Sequence, residues 1–212
     1  MIKHLAVVGA TGAVGREVCA LIGERGLNPR RVSLFASSRT AGESLMVAGR
    51  EVTIRELTDN SFDDVDFAIF SAGSARSKRF APVAAGVGAV VIDNSSAFRM
   101  DSNVPLIVPE INPEDAGTHR GIIANPNCST IIMNLAVWPL HQVNRVKRIV
   151  VSTYQAAGGA GAAGVEELRA QTADHLAGKE VTPRVFAHRS RSTCSRTIRR
   201  SAQTATISKS GR

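Results

Sequence analysis

Aromatic side chains are scarce in this sequence, at 4% of 212 residues with a single Trp and a single Tyr. Sequence-tolerant binding of single-stranded nucleic acid needs rings on which bases can stack, so that mode is disfavoured. Cysteine is sparse too: Cys19, Cys128 and Cys194 are too few and too scattered for a disulfide framework, and no CxxC pair occurs. Reduced thiols in the cytoplasm are therefore expected, with no metal site. Long apolar runs are missing as well. After Met1-Ile2-Lys3-His4 only Leu5 to Val8 are apolar before Gly9, far short of a signal-peptide core or a membrane span. A soluble protein without a membrane partner follows.

The net positive charge comes almost wholly from one stretch. The formal charge is +8, but Arg189, Arg191, Arg196, Arg199, Arg200, Lys209 and Arg212 stand in a segment with no Asp or Glu, and without them 19 basic residues face 18 acidic ones. The body of the chain is nearly neutral, so a polyanion partner could use only the tail, which carries no aromatic residue. Nucleic acid is an unlikely partner on that count. From Arg189 onward Ser, Thr and Arg dominate and the few apolar residues cannot make a core, so 189–212 is expected to be a disordered tail.

What is present is the alternation of an α/β protein. Leu5–Val8 is a short apolar run ending in Gly9, as in a parallel strand buried on both faces, and Val14, Val18, Leu21 and Ile22 then recur at helical spacing. Further strand-like runs lie at Val32–Ala36, Val52–Ile54, Phe67–Phe70, Val90–Ile92 and Leu106–Val108, with a helix over Arg76–Ala85. This predicts a Rossmann-like, doubly wound, mostly parallel sheet over 1–127. A second α+β domain begins at 128 and runs to 188: a helix over Ser129–His141 ended by Pro139 and polar residues, a β-branched run at Val146–Tyr154, and a helix over Val165–Leu176.

Gly9-Ala10-Thr11-Gly12-Ala13-Val14-Gly15 is a G-x-x-G-x-x-G variant placed between the first strand and the first helix. Glycines there permit a tight turn and close approach of backbone to a pyrophosphate, which the helix N-terminus faces with free N–H groups. The alternative is a plain Gly-rich turn. At the end of the second strand an NAD site wants a carboxylate for the ribose hydroxyl, whereas the chain offers Ala36-Ser37-Ser38-Arg39-Thr40. Arg39 among hydroxyls suits the 2′-phosphate of NADP, or else is a solvated loop residue.

Asn125-Pro126-Asn127-Cys128-Ser129-Thr130 precedes an apolar helix. A thiol at a helix N-terminus is shifted toward the attacking thiolate, and the same N–H groups can hold an oxyanion. Spacing alone leaves Cys128 as either a nucleophile or a buried cap residue; Cys19, inside the first helix, reads as an inert packed thiol.

These blocks, together with Phe35-Ala36-Ser37-Ser38-Arg39, Ser71-Ala72-Gly73, Asp93-Asn94-Ser95-Ser96-Ala97-Phe98-Arg99 and Tyr154-Gln155-Ala156-Ala157, follow one another in an order that resembles aspartate-semialdehyde dehydrogenase over residues 1–188. The resemblance implies a homodimeric NADP enzyme that interconverts aspartate semialdehyde plus phosphate with β-aspartyl phosphate. That reaction feeds lysine, through diaminopimelate, as well as threonine and methionine. Cys128 would be the nucleophile, Asn127 would help hold the reacting group, and Gln155 would orient the substrate. Arg99, with Asn94, would bind phosphate. Gly9, Thr11, Gly12, Ala13, Val14, Ser38, Arg39, Thr40, Ser71, Gly73, Gly158 and Gly159 would touch NADP. Blander readings stay open for Arg99 (a surface ion pair), Gln155 (a strand-end polar residue) and Gly158-Gly159 (a flexible loop). The neighbouring enzyme N-acetyl-glutamyl-phosphate reductase shares the thioester logic, but Asn-Ser-Ser-Ala-Phe-Arg and Asn-Pro-Asn-Cys favour aspartate semialdehyde.

The resemblance stops at His188. None of His4, His119, His141, His175 or His188 matches the family's general base, and its carboxylate-binding Arg is likewise absent. The residues Arg189 to Arg196 can be encoded so that one restored C upstream reads Pro-Ile-Ala-Phe-Asn-Val-Leu-Pro, which continues the family pattern. A frame-shifted tail on a truncated chain is therefore expected, with negligible dehydrogenase turnover and exposed apolar surface around Val146–Leu176. Sequencing the gene tests this: a continuation in no neighbouring frame counts against it.

Overall fold

A computed structural model describes residues 2–186; the basic tail, Cys194 included, lies outside them. The chain divides into two units, Met1–Arg148 and Ile149–Arg212.

The first unit is a seven-stranded sheet built from β1 (His4–Val8), β2 (Arg31–Ala36), β3 (Ser44–Val47), β4 (Arg50–Glu56), β5 (Phe67–Phe70), β6 (Val90–Asp93) and β7 (Ile122–Ala124), in the order β3-β4-β2-β1-β5-β6-β7. Every pairing is parallel except β3 with β4. The continuous apolar run of β1 follows from its central place, since all five residues are buried. Strand alternation sends them to opposite faces. Leu5 and Val7 meet Leu34, Ile54, Cys19 and Ile22 under α1 (Ala13–Glu24), whereas Ala6 and Val8 meet Phe70, Val91, Phe80, Ala81 and Ala84 under α2 (Ser74–Gly86). Helices on both faces make the sheet doubly wound and leave a crevice at the carboxyl ends of β1 and β5, where the strand order reverses.

Several expectations are corrected. β3 was not foreseen; it forms a hairpin with β4 through Ala48 and Gly49, both at positive φ (49° and 77°), as a two-residue turn that matches strand twist requires. Leu106–Val108 is no strand. Only Leu106 bridges Ala124, because Pro105 and Pro109 flank the run and lack ladder donors. The sheet ends instead at β7, which was not foreseen. Pro139 does not end the next helix, α3 (Cys128–Val143), which continues through it to Val143. Val146–Tyr154 is not a strand; no described strand pairs with it, and Val150 and Tyr154 are exposed. Apolar α3 buries none of its residues, with Ile132, Leu140 and Val143 open. In the second unit, α4 (Ala162–Leu176) packs so closely on the turn Ala157–Ala160 that a Cβ on Gly164 would lie 2.7 Å from the carbonyl oxygen of Ala157.

The N-terminal end of the sheet carries a buried histidine. His4 Nδ1 lies 3.1 Å from the carbonyl oxygen of Asp64, which can only accept, so Nδ1 carries the proton and Nε2 accepts from Ser33 Oγ at 2.8 Å. Ser33 Oγ in turn receives Arg55 Nη2 at 2.8 Å. Burial, then the charge of Arg31, pulls the His4 pKa below 6.5. Neutral His4 therefore contributes stability that is complete above about pH 6.5 and is lost as the pH falls through the lower folded value. Asp66, which accepts the N–H groups of Lys3 and His4 and is held below its usual range, stays ionised across that window. We expect the urea midpoint to drop between pH 8 and pH 5.5, and to drop less in His4→Gln; equal drops would remove His4 from the account.

Candidate active site

The first wall of the crevice is the glycine turn. Val8 ends β1, and the N–H groups of Gly9 and Ala10 both reach the Phe35 carbonyl of β2, at 2.8 and 3.2 Å. Gly9 has φ +88°, and a Cβ on it would sit 2.5 Å from the carbonyl oxygen of Ser71, just beyond β5. A Cβ on Gly15 would sit 2.1 Å from the carbonyl oxygen of Gly9. These two glycines let α1 and β5 close on the turn. Gly12 differs. It caps α1 without a side-chain hydrogen bond, and Gly12, Ala13 and Val14 are exposed, so the first N–H groups of the helix face the crevice uncapped.

The second wall comes from β2. Ser38–Thr40 forms one turn of 3-10 helix after Ala36, and Thr40 Oγ1 reaches Thr11 Oγ1 at 3.5 Å, joining the two loops. Ser38 and Arg39 are exposed on that turn, with no carboxylate between Ala36 and Thr40. Ser71 follows β5, its N–H bound to the Val8 carbonyl at 2.8 Å, and Gly73 caps α2 at φ +84°, again without a side-chain cap. The residues expected to touch NADP in this unit are thus gathered at the carboxyl ends of β1, β2 and β5. Gly158 and Gly159 belong to the second unit, where a Cβ on either would meet nothing within 4 Å. Gln155 is exposed in the extended segment before them.

Cys128 opens α3, and the Asn127 side chain caps the helix by accepting the Ser129 N–H at 3.0 Å. The thiol is exposed, so the buried-cap alternative falls away; Sγ lies 3.9 Å from Asn127 Oδ1 and 4.0 Å from Ser129 Oγ. Cys19 is the contrast, only 2% exposed, its thiol pushed up by burial. A ladder runs on past β6 and β7: Asn125 N donates to the Asp93 carbonyl at 2.8 Å, and Asn125 Nδ2 to Asn94 Oδ1 at 2.8 Å. Arg99 is half-buried between these loops. Its Nε donates to the Asn125 carbonyl at 2.8 Å and its Nη2 to the Asn94 carbonyl at 3.1 Å, while Nη1 makes no hydrogen bond to any described residue. Arg99 is not a surface ion pair; among the described residues the one ion pair is Arg79–Asp59. Burial lowers the pKa of Arg99, against the opposing charges of Asp93 and Cys128. A partly desolvated guanidinium held on the loop that leads to Cys128 suits an anion.

Arg99 joins the carbonyls of Asn94 and Asn125, and Asn125 stands on the loop that leads to Asn127 and Cys128. Asp93, Ser95 and Asn125, which complete this network, were not singled out, although an Asp closing an apolar strand was a visible signal. Among the described residues no group of three or more His, Cys, Asp or Glu is placed to hold a metal, and no helix is long and apolar enough to cross a membrane.

A family model described as semialdehyde dehydrogenase, NAD binding domain, matches residues 4–119, and one described as semialdehyde dehydrogenase, dimerisation domain, matches 137–192. The chain is 50% identical over 176 residues to an aspartate-semialdehyde dehydrogenase of Synechocystis sp., covering 83% of this chain and 52% of that protein. It is 51% identical over 181 residues to one of Aquifex aeolicus, covering 84% and 53%. Among solved structures, aspartate semialdehyde dehydrogenase II of Vibrio cholerae, complexed with ASA, superposes with a TM-score of 0.82 at 41% identity, over 89% of this chain and 57% of that one. The chain spans about half the length of the curated relatives it matches.

Proposed function

The chain belongs to the semialdehyde dehydrogenase family, and from that premise we propose that it carries the nucleotide-binding half and the nucleophile of an NADP-dependent aspartate-semialdehyde dehydrogenase. One observation carries the reading: an exposed thiol on the first turn of α3, three residues past Asn125, whose carbonyl holds the half-buried Arg99. In this reading residues 1–127 bind NADP, and 128–188 begin the catalytic and dimerisation domain. The remaining length of the enzyme and a second copy would then cover the open apolar residues of α3 and of Val150 to Tyr154.

The residues fit the cofactor. Gly9 and Gly12 offer backbone without a side chain, flanked by Thr11, Ala13 and Val14, with Ser71 and Gly73 opposite; Ser38, Arg39 and Thr40 supply a cation and hydroxyls where an NAD site would place an acid. When bound, NADP supplies the acceptor for hydride from the substrate carbon. Cys128 thiolate adds to the aldehyde carbon, forming the C–S bond, while Asn127 and the N–H groups at the start of α3 hold the oxygen. Once that carbon is at the thioester level, phosphate seated on Arg99 and Asn94 attacks it, and Cys128 leaves as thiolate.

Mild iodoacetamide treatment of the full chain, read by peptide mapping, tests this. Cys128 should be captured at least about tenfold faster than Cys19, and NADP should slow the capture. A charge-assisted hydrogen bond contributes roughly 1.5–3 kcal/mol, so Arg39→Ala should need about tenfold more NADP for equal protection. Equal capture of both thiols, or protection by NAD as good as by NADP, would defeat the reading.

A further inference from the structure

Asp93 closes β6 with no exposed surface. Burying a carboxylate is costly unless donors meet it, and here there are three. Ser77 Oγ of α2 donates to Oδ1 at 2.6 Å, Ser95 N–H to the same oxygen at 3.2 Å, and Ser95 Oγ to Oδ2 at 2.8 Å. Ser95 Oγ then accepts the Ala97 N–H at 3.0 Å. The turn leaving the sheet is thereby gripped at both Ser95 and Ala97, two residues short of Arg99. Arg99 folds back to donate to the carbonyls of Asn94 and Asn125, one on this turn and one on the loop that leads to Cys128. Ser95 itself is buried and makes no hydrogen bond to Arg99 or Cys128. Whatever it does at the site passes through the backbone.

We propose that Ser95, held by the buried Asp93 carboxylate, is the positioning residue for Arg99: the chain Asp93–Ser95–Ala97 sets the turn that keeps the guanidinium beside Cys128, where it receives phosphate. This rests on the reading of Arg99 as the phosphate-binding cation. Phosphate then meets a pre-set arginine, instead of ordering one at its own expense. The turn lies entirely within the first unit.

The test uses the full chain and inorganic phosphate as the probe, and reads the phosphate concentration that halves iodoacetamide capture of Cys128. Ser95→Ala should raise it by about ten- to a hundredfold, as should Arg99→Leu, the range expected for losing a hydrogen bond to a charged group. The double variant should be no worse than Arg99→Leu alone, because the two act through one guanidinium. Cys19 reports the fold and should stay uncaptured throughout. If Ser95→Ala exposes Cys19, Asp93→Ala takes its place: it removes the acceptor for the Ser95 hydroxyl and puts no donor there that could restore the bond in reverse. Losing a negative charge near an anion site should by itself tighten phosphate, so weaker protection in Asp93→Ala identifies the lost brace. Wild-type protection in Ser95→Ala or Asp93→Ala, with protection lost in Arg99→Leu, overturns the proposal and leaves the phosphate reading standing. A further loss when Ser95→Ala is added to Arg99→Leu overturns it too. Unchanged protection in Arg99→Leu itself overturns the parent reading.

Discussion

In an enzyme completed with the C-terminal half of a full-length relative, Cys128→Ser should lower phosphate-dependent NADP reduction by on the order of 10⁶-fold, the scale seen when a covalent nucleophile is removed. NADP binding should stay within about twofold. The size of the effect follows from the proposed route, in which the C–S bond makes the carbon a hydride donor and then a thioester; serine at neutral pH is a far poorer nucleophile without a base to activate it. Geometry changes little, since the site of substitution is exposed and its helix is capped by Asn127. Cys19→Ser is the matched control. It buries a hydroxyl in the cluster beneath α1 and should cost stability, with turnover per folded molecule unchanged. Activity in Cys128→Ser above about a hundredth of the parent would rule out the thioester route.

Why could so much be read from the sequence alone? β1, β2 and β5 are flanked on both faces by helices or their cores, so Leu5–Val8, Leu34–Ala36 and Phe67–Phe70 are apolar without alternation and stand out as runs. α2 declared itself by its alanines, which pack flat on Val8 and Val91. The elements that escaped have weak local signals. β3 at the sheet edge reads Ser44-Leu45-Met46-Val47 with only Val47 buried, and β7 is three residues long. The false strands failed for opposite reasons: Leu106–Val108 is apolar but clipped by prolines, and Val146–Tyr154 is β-branched but has no hydrogen-bonding neighbour among the described residues. β-propensity describes a pleated surface waiting for a partner, and supplies none.

The site divides in the same way. The glycine turn and Cys128 are contiguous motifs whose meaning depends on the strand or helix beside them, so a single sequence reveals them. The brace does not. Asn94 and Asn125 are 31 positions apart and meet because β6 and β7 are neighbours, a pairing no local pattern announced. Asp93 merely follows an apolar run in the sequence; its burial is made tolerable by Ser95 on its own turn and by Ser77, which only α2 brings there.

Glycines of one motif should fail in different ways. Gly15→Ala places a methyl where the Gly9 carbonyl oxygen stands, 2.1 Å away, and backbone cannot swing aside as a side chain can. Helix α1 must then move off β1, opening the cluster of Val7, Cys19 and Ile22, and we expect destabilisation of about 3 kcal/mol or more with NADP binding lost. Gly12→Ala meets its nearest neighbour, the same oxygen, at 3.4 Å, with φ at −70°, where any residue is comfortable. That variant should keep its urea midpoint within about 0.5 kcal/mol of the parent in stability, yet bind NADP at least about tenfold more weakly, because the new methyl stands on the exposed helix cap where the pyrophosphate must approach. The pair separates packing from recognition: urea titration reads one and NADPH fluorescence the other. Were both variants to lose stability together, the turn would be a packing device alone, and the nucleotide would have to be sought elsewhere on the sheet.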